Sequence, residues 1–239
     1  MREANINEIN IFKENYCRSE ESRNKIMTEF TTVIDSFEEA IPWQEINSWA
    51  TGNKKIGGSF IIFKVIDEEK QIFYNPVFSE TVGKAMLKSE NRIGELPDKI
   101  NIFGAETNNG AVGNRTDGSQ IRTNSNNRNL RILIMYIRTM MLLGVPNPKP
   151  MTGWFRELYE KLSKNPNLDV YESEIKSVNT ALRKHLMKET ITFNHLDEFL
   201  EYLANELNNR GVNKNLRTRS FQALREKFSS KYPDEELFF

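Results

Sequence analysis

The sequence predicts an α+β protein that is mostly α-helical, with a small antiparallel sheet in an N-terminal lobe and a helical C-terminal lobe. Two runs rich in β-branched and aromatic residues, 59–66 and 71–77, flank the polar turn DEEK and predict a hairpin over 59–77. Beyond residue 151, apolar residues recur at helical spacing. Between the two regions the stretch VPNPKP indicates a stiff connector, and we place the lobe boundary there.

The predicted N-terminal lobe, residues 1–145, begins with helix and continues with the sheet. Apolar residues at helical spacing predict helices over 5–40, broken once or twice, and Pro42 ends this segment. Both faces of the first hairpin strand are apolar, which indicates a sheet that is covered on two sides. A short helix over 79–89 and a third strand over 99–103 complete this lobe.

A long polar loop, predicted over 105–127, precedes a buried helix predicted over 129–143. Loops of this length without secondary structure are unusual inside a compact domain and are commonly either functional or disordered. Arg128, Arg131 and Arg138 lie within one sector of about 80° on the helix surface. Because an unpaired buried charge is costly, this stripe must face water, a carboxylate or an anionic ligand.

The predicted C-terminal lobe, residues 151–239, consists of four helices. We expect Asn194 to cap the third helix and Gly211 to end it, because these residue types are preferred at those two positions. The apolar spacing places the four helices at 152–162, at 171–187, between Asn194 and Gly211, and at 216–230.

The composition excludes several classes of protein. Lysine plus arginine and aspartate plus glutamate both number 33, so only the placement of charges can argue for nucleic-acid binding. The single cysteine, Cys17, excludes an internal disulfide, and two histidines are too few for a zinc site, so we expect no metal or cofactor. The start of the chain lacks the apolar core of a signal peptide, and the longest apolar run is too short for a membrane span. We therefore expect a protein of the reducing cytoplasm, with no membrane contact.

Two basic clusters carry the strongest functional signal. Cations before the last helix stand where the helix dipole is already positive, and such a helix start beside basic side chains is suited to binding an anion. The first cluster comprises Arg115, Arg122, Arg128, Arg131 and Arg138, and Asp117 is the one acid between residues 108 and 139. The second comprises Arg210, Lys214, Arg217, Arg219 and Arg225.

These clusters predict a protein that binds nucleic acid, with RNA or single strands favoured, through the phosphate backbone rather than the bases. If the two lobes face each other, the clusters line one cleft. Two alternatives stay open: the arginines pair with the acidic segment 1–40, or the second cluster is a solvated basic face. The arrangement of lobes, basic segment and C-terminal segment fits a self-associating nucleocapsid or coating protein, viral or phage-related, by analogy of general organisation alone. A protein–protein adaptor with an acidic partner is a further alternative.

The segment Leu237, Phe238 and Phe239 follows three acidic residues and carries two aromatic rings. Exposed aromatic residues at a chain end are unusual unless they dock somewhere. We expect them either to pack on the last helix or to dock onto a partner. Docking predicts a homo-oligomer, formed through this segment or through the N-terminal helices.

Catalysis has weaker support, and we expect a binding protein rather than an enzyme. The sequence contains neither a phosphate-binding GxxxxGK[ST] loop nor a GxSxG nucleophile elbow. The catalytic alternative is a magnesium-dependent nuclease of a restriction or phage-defence type. In it Asp169, Glu172 and Glu174 hold the metal and Lys176 orients the attacking water. Matches this short arise easily by chance in a chain rich in glutamate and lysine.

Overall fold

The computed structural model describes residues 1–50, 54–103, 124–188, 191–216 and 220–239. The α+β class is confirmed, because about 49% of the chain is helix and 17% is strand. Two compact units are present: an N-terminal unit of Met1–Ile100 with Leu142–Met151, and a C-terminal unit of Asn101–Met141 with Thr152–Phe239. No helix in the described ranges has both the length and the apolar character needed to cross a membrane.

The N-terminal unit is built on a five-stranded sheet. Its path is β1-β6-β5-β2, and β7 also pairs with β5. The pairings are antiparallel except between β1 and β6, so one edge of the sheet is parallel. A separate antiparallel pair joins β3 and β4. The strands are β1 (Arg2–Glu3), β2 (Thr31–Glu39), β3 (Ile46–Asn47), β4 (Lys55–Ile56), β5 (Ser59–Asp67), β6 (Ile72–Tyr74) and β7 (Val77–Ser79).

The predicted hairpin is present as β5 and β6, joined by the DEEK turn. The carboxylate of Asp67 accepts hydrogen bonds from the backbone N–H of Lys70 at 3.0 Å and from its ammonium group at 2.9 Å, which fixes the turn. Gln71 follows with a φ of 55°, in the left-handed region. Most of β5 is buried on both faces, as its apolar sequence predicts.

The helical prediction for residues 5–40 is wrong in its last third. Helices α1 (Ile6–Phe12) and α2 (Glu20–Glu29) flank a π-helical turn, Lys13–Cys17, but residues 31–39 form strand β2. The β-branched run TTVI favours a strand, and its side chains alternate between exposed and buried. Pairing with β5 along almost the whole strand outweighs the helical spacing of its apolar residues.

The third strand predicted over 99–103 is also absent as a strand. Ile100 forms one isolated parallel bridge with Glu38 instead. Its N–H donates to the carbonyl of Phe37 at 2.8 Å, and its carbonyl accepts from Glu39 at 2.9 Å.

Helix α3 (Glu80–Ser89) packs on β5 at very short range through Gly83. A Cβ atom at residue 83 would lie 2.8 Å from Cδ1 and 3.1 Å from Cβ of Ile61, which is fully buried in the sheet. Glycine is therefore required here for close approach of helix and strand rather than for its backbone freedom.

The C-terminal unit is helical, with one short hairpin. Helix α4 spans Ser125–Leu142, and all of it except Leu142 belongs to this unit. The other elements are α5 (Gly153–Lys164), α6 (Glu172–Leu186), β8 (Met187–Lys188), β9 (Ile191–Thr192), α7 (Leu196–Asn209) and α8 (Gln222–Ser229).

Helix α4 begins earlier than predicted and groups with the C-terminal unit rather than with the N-terminal lobe. The side chain of Asn124 caps it by accepting from the N–H groups of Asn126 and Asn127, at 2.9 and 3.3 Å. The buried amide of Asn127 donates to the carbonyls of Asn165 and Leu168, at 2.9 and 3.2 Å. These bonds attach the start of α4 to the segment between α5 and α6.

Two predicted helix starts differ from the structure. Helix α7 is capped by His195, whose Nδ1 accepts from the N–H of Asp197 at 3.3 Å, and not by Asn194. Asn194 instead bonds the carboxylate of Glu198 through both its N–H and its amide. The last helix begins at Gln222 rather than 216, so most of the second basic cluster precedes it.

We expect Gly83→Ala to lower the free energy of unfolding by about 1 kcal/mol. Overpacking a buried contact costs about 1–3 kcal/mol, and the better helix propensity of alanine offsets only about 1 kcal/mol of this. Urea denaturation measures the difference. Gly94→Ala is the control, because a Cβ at residue 94 has no neighbour within 4 Å. A Gly83→Ala variant as stable as the control would show that the close approach is not required.

Candidate nucleic-acid interface

The described members of the two basic clusters all lie in the C-terminal unit. Four of the predicted residues, Arg115, Arg122, Arg217 and Arg219, lie outside the described residues. The described members are Arg128, Arg131, Arg138, Arg210, Lys214 and Arg225.

The arginine stripe of α4 is largely buried. Arg138 is only 2% exposed, and Arg128 and Arg131 are half-buried. All three interact with neighbouring groups. The stripe is therefore engaged within the protein along much of its length, and only its first two members reach the surface.

The second cluster is also engaged with nearby groups. Arg210 pairs with Glu206 at 2.9 Å, one helical turn earlier on α7. The ammonium group of Lys214 lies 4.9 Å from the ring centroid of Phe103. Nε of Arg225, on α8, donates to the carbonyl of Phe239 at 2.8 Å.

The two basic segments nevertheless adjoin each other in the C-terminal unit. Phe103 forms an antiparallel bridge with Leu216, and the amide of Asn129 donates to the carbonyl of Ser220 at 3.2 Å. Each contact joins a residue beside the first segment to a residue beside the second. The sequence predicts these segments in separate lobes, whereas their flanks meet near the start of α4.

The segment Leu237–Phe239 packs within its own unit. Phe238 is 4% and Phe239 1% exposed. The N–H of Phe238 donates to the side-chain oxygen of Asn179 at 3.0 Å, and its carbonyl accepts from Leu196 at 2.8 Å. Both rings are thus buried within the unit. Of the three residues predicted to dock onto a partner, only half-buried Leu237 remains partly exposed.

The residues of the nuclease alternative each have another contact. Asp169 pairs with Lys227 at 2.6 Å, and Glu174 pairs with Lys161 at 2.7 Å while closing the capping box of α6. Glu172 lies 3.9 Å from Lys231, and Lys176 pairs with Glu235. Among the described residues, no group of three His, Cys, Asp or Glu side chains is arranged to hold a metal ion.

A lysine-lined groove in the N-terminal unit was missed by the sequence analysis. It has a volume of about 930 Å³ and lies between the β3–β4 pair and helix α3. We call it the lysine groove. It is lined by Ser48, Lys54, Lys55, Ile56, Gly57, Gly58, Ser59, Ser79, Glu80, Thr81, Val82, Lys84, Ala85 and Lys88.

The charge of the lysine groove is positive. Lys55 pairs with Glu45, and Lys84 pairs with Glu80 at 2.6 Å. Lys54 and Lys88 are exposed and form no ion pair with any described carboxylate. Burial alone would raise the pKa of Glu80, but its hydrogen bond with Lys84 holds that pKa below its usual value. Glu80 is the one acid among the described lining residues, and it is ionised and already paired.

Helix α3 directs its first turn at the lysine groove. Ser79 occupies the N-cap position, but its side chain makes no capping hydrogen bond. The first N–H groups of a helix have no partner inside the helix and attract anions, an effect that the uncapped start of α3 retains. Gly57 and Gly58 lie opposite, where a Cβ would have nothing within 4 Å. The groove therefore offers ammonium groups, hydroxyls and backbone N–H groups to an anion.

The pairing of β5 with β7 explains why the sequence alone does not predict this groove. Phe60 faces Ser79 across the two strands, which brings the end of the KKIGGS stretch beside the start of α3. Lys84 and Lys88 are four residues apart and share one face of α3. That spacing is visible in the sequence, but it is also common on solvated helices. No local sequence pattern indicates that Lys54 lines the same groove.

Comparison of the chain with protein-family models, with curated proteins and with solved structures found no match.

We expect Phe238→Ala to destabilise the C-terminal unit by about 3 kcal/mol, because truncating a buried phenylalanine leaves a cavity. Denaturant unfolding followed by circular dichroism measures this, with Leu237→Ala as the milder control. Light scattering on both variants tests the docking role. A loss of oligomer mass without loss of stability would assign the segment to a partner instead.

Proposed function

We propose that the protein binds nucleic acid through its phosphate backbone, with RNA or single strands favoured. The observation that carries the proposal is the lysine groove, whose lining includes the uncapped start of α3 and two exposed lysines, Lys54 and Lys88, that pair with no described carboxylate. Ammonium groups and backbone N–H groups supply most phosphate contacts in nucleic-acid complexes.

The lining of the groove supports backbone contact rather than base readout. Its described lining residues include no aromatic side chain on which a base would stack. Its apolar members, such as Ile56, Val82 and Ala85, are small or aliphatic. We therefore expect weak sequence preference and an affinity that falls steeply with salt.

The C-terminal unit supplies a second contribution to the proposal. Half-buried Arg128 and Arg131 lie near the place where the flanks of both basic segments meet. Arg115, Arg122, Arg217 and Arg219 remain predicted contacts. Self-association of a nucleocapsid type and a cytoplasmic setting remain part of the proposal, and the latter fits the single buried thiol, Cys17.

We expect the double variant Lys54→Ala/Lys88→Ala to bind labelled single-stranded RNA more weakly. The slope of log K against log salt should become shallower by about one to two, because each lost phosphate contact removes about 0.7–0.9 from it. Fluorescence anisotropy across a salt series measures both effects, and single-stranded and duplex DNA serve as further probes.

The control for this experiment is Lys25→Ala/Lys64→Ala, which removes the same charge from the same unit outside the groove. An equal loss of RNA affinity in both variants would show that the effect depends on net charge alone. Unchanged binding in the groove variant would reject the groove as the interface. Competition by a polyglutamate peptide as effective as that by RNA would favour the adaptor alternative.

A further inference from the structure

The segment Glu236–Phe239, here called the docked segment, occupies a cleft of the C-terminal unit in the way that a bound peptide does. It belongs to no helix or strand. The cleft is formed by α6, by the start of α7 and by α8, all of which lie in the same unit as the docked segment. Contacts with these three helices, rather than secondary structure of its own, therefore fix the position of the docked segment.

Asn179 on α6 supplies the central contact to the backbone of the docked segment. Its side-chain amide donates to the carbonyl of Glu236 at 2.8 Å, and its side-chain oxygen accepts from the N–H of Phe238 at 3.0 Å. Asn179 is only 5% exposed, so a polar side chain is buried here with both its donor and its acceptor bound to the docked segment. Without that segment, both polar groups would need other partners.

The two phenylalanines of the docked segment are held by backbone and ring contacts. The carbonyl of Phe238 accepts from the N–H of Leu196, and that of Phe239 accepts from Nε of Arg225, each at 2.8 Å. Both phenylalanines are buried, and the ring of Phe239 meets that of Phe221 edge to face, with the centroids 5.9 Å apart. Main-chain hydrogen bonds combined with pockets for side chains are a common means of recognising an extended peptide.

The connector between α8 and the docked segment, residues 230–235, is exposed apart from half-buried Tyr232. The N–H of Glu235 donates to the carbonyl of Tyr232 at 3.2 Å, so Pro233 and Asp234 are the central residues of a turn. Glu235 also pairs with Lys176, in a solvent-exposed ion pair of the kind that contributes little to stability. The turn changes the direction of the chain just before the docked segment enters the cleft of its own chain.

We propose that the cleft also accepts the docked segment of a second copy of the chain, so that two copies exchange these segments. A second copy fits because its segment carries the same two phenylalanines, and exchange repeats each contact of the docked segment while only the connector changes conformation. A segment on a short connector competes at an effective concentration on the order of millimolar, so exchange requires a similar protein concentration. The inference rests on the self-association in the proposed function and is independent of nucleic-acid binding.

Asp234→Pro tests this inference by opening the turn. A proline at this position restricts its own backbone and that of Pro233 to extended conformations, which favours a connector that leads away from its own cleft. We expect the dissociation constant of the dimer to fall by about tenfold or more relative to the wild-type protein, as light scattering across a dilution series measures. Asp234→Ala is the matched control, because it removes the same exposed carboxylate, permits the turn and should dimerise like the wild-type protein. Circular dichroism verifies that both variants fold.

Isotope-filtered NOE spectroscopy identifies the contact, on an equal mixture of ¹³C-labelled and unlabelled Asp234→Pro chains refolded together. Exchange places the ring of Phe239 of one chain against Phe221 of the other, and wild-type protein at about 1 mM should show the same contact. The inference is overturned if Asp234→Pro dimerises no more readily than Asp234→Ala, or if Phe239 in either sample contacts only Phe221 of its own chain. Because no nucleic acid is present, neither result bears on the lysine groove.

Discussion

The close approach of helix α3 to strand β5 is the constraint on which the N-terminal unit depends. Gly83 permits it, since any side chain at this position would meet the buried Ile61. Strand β5 pairs with β2, β6 and β7, so a helix fixed to β5 is fixed to most of the sheet. The helix start then has one position relative to the β3–β4 pair, and the lysine groove is the space between them.

The sheet thus borders two separate cavities in one unit. At the end where β7 leads into α3, lysines and helix N–H groups create a polar groove suited to phosphate. At the edge where β1 pairs with β6, a second cavity is lined by apolar residues and by the charged side chains of Glu3, Lys13 and Lys149. Affinity for a polyanion requires exposed, hydrated cations, and the lysine groove supplies them.

The sequence predicts the elements of this fold better than its sites. Strong signals, such as the DEEK hairpin and the amphipathic helices after residue 151, appear in the structure because one local pattern determines each of them. The helical prediction for residues 31–39 is wrong because their conformation depends on pairing with β5, which lies further along the chain. Arg138 and Arg225 look like surface cations in the sequence but are engaged inside the unit. Lys54 and Lys88 line the same groove because β5 pairs with β7, which no local pattern predicts.

The proposed function requires that the start of α3 and the lysines lining the groove bind the phosphates of nucleic acid. The most direct test is a titration of the ¹⁵N-labelled protein with a short oligouridylate, followed by amide chemical shifts. We expect the largest shifts among described residues of the N-terminal unit on the amides of Glu80, Thr81 and Val82 and on residues 54–59. Unperturbed amides at these positions, together with saturable binding observed elsewhere in the chain, would contradict it.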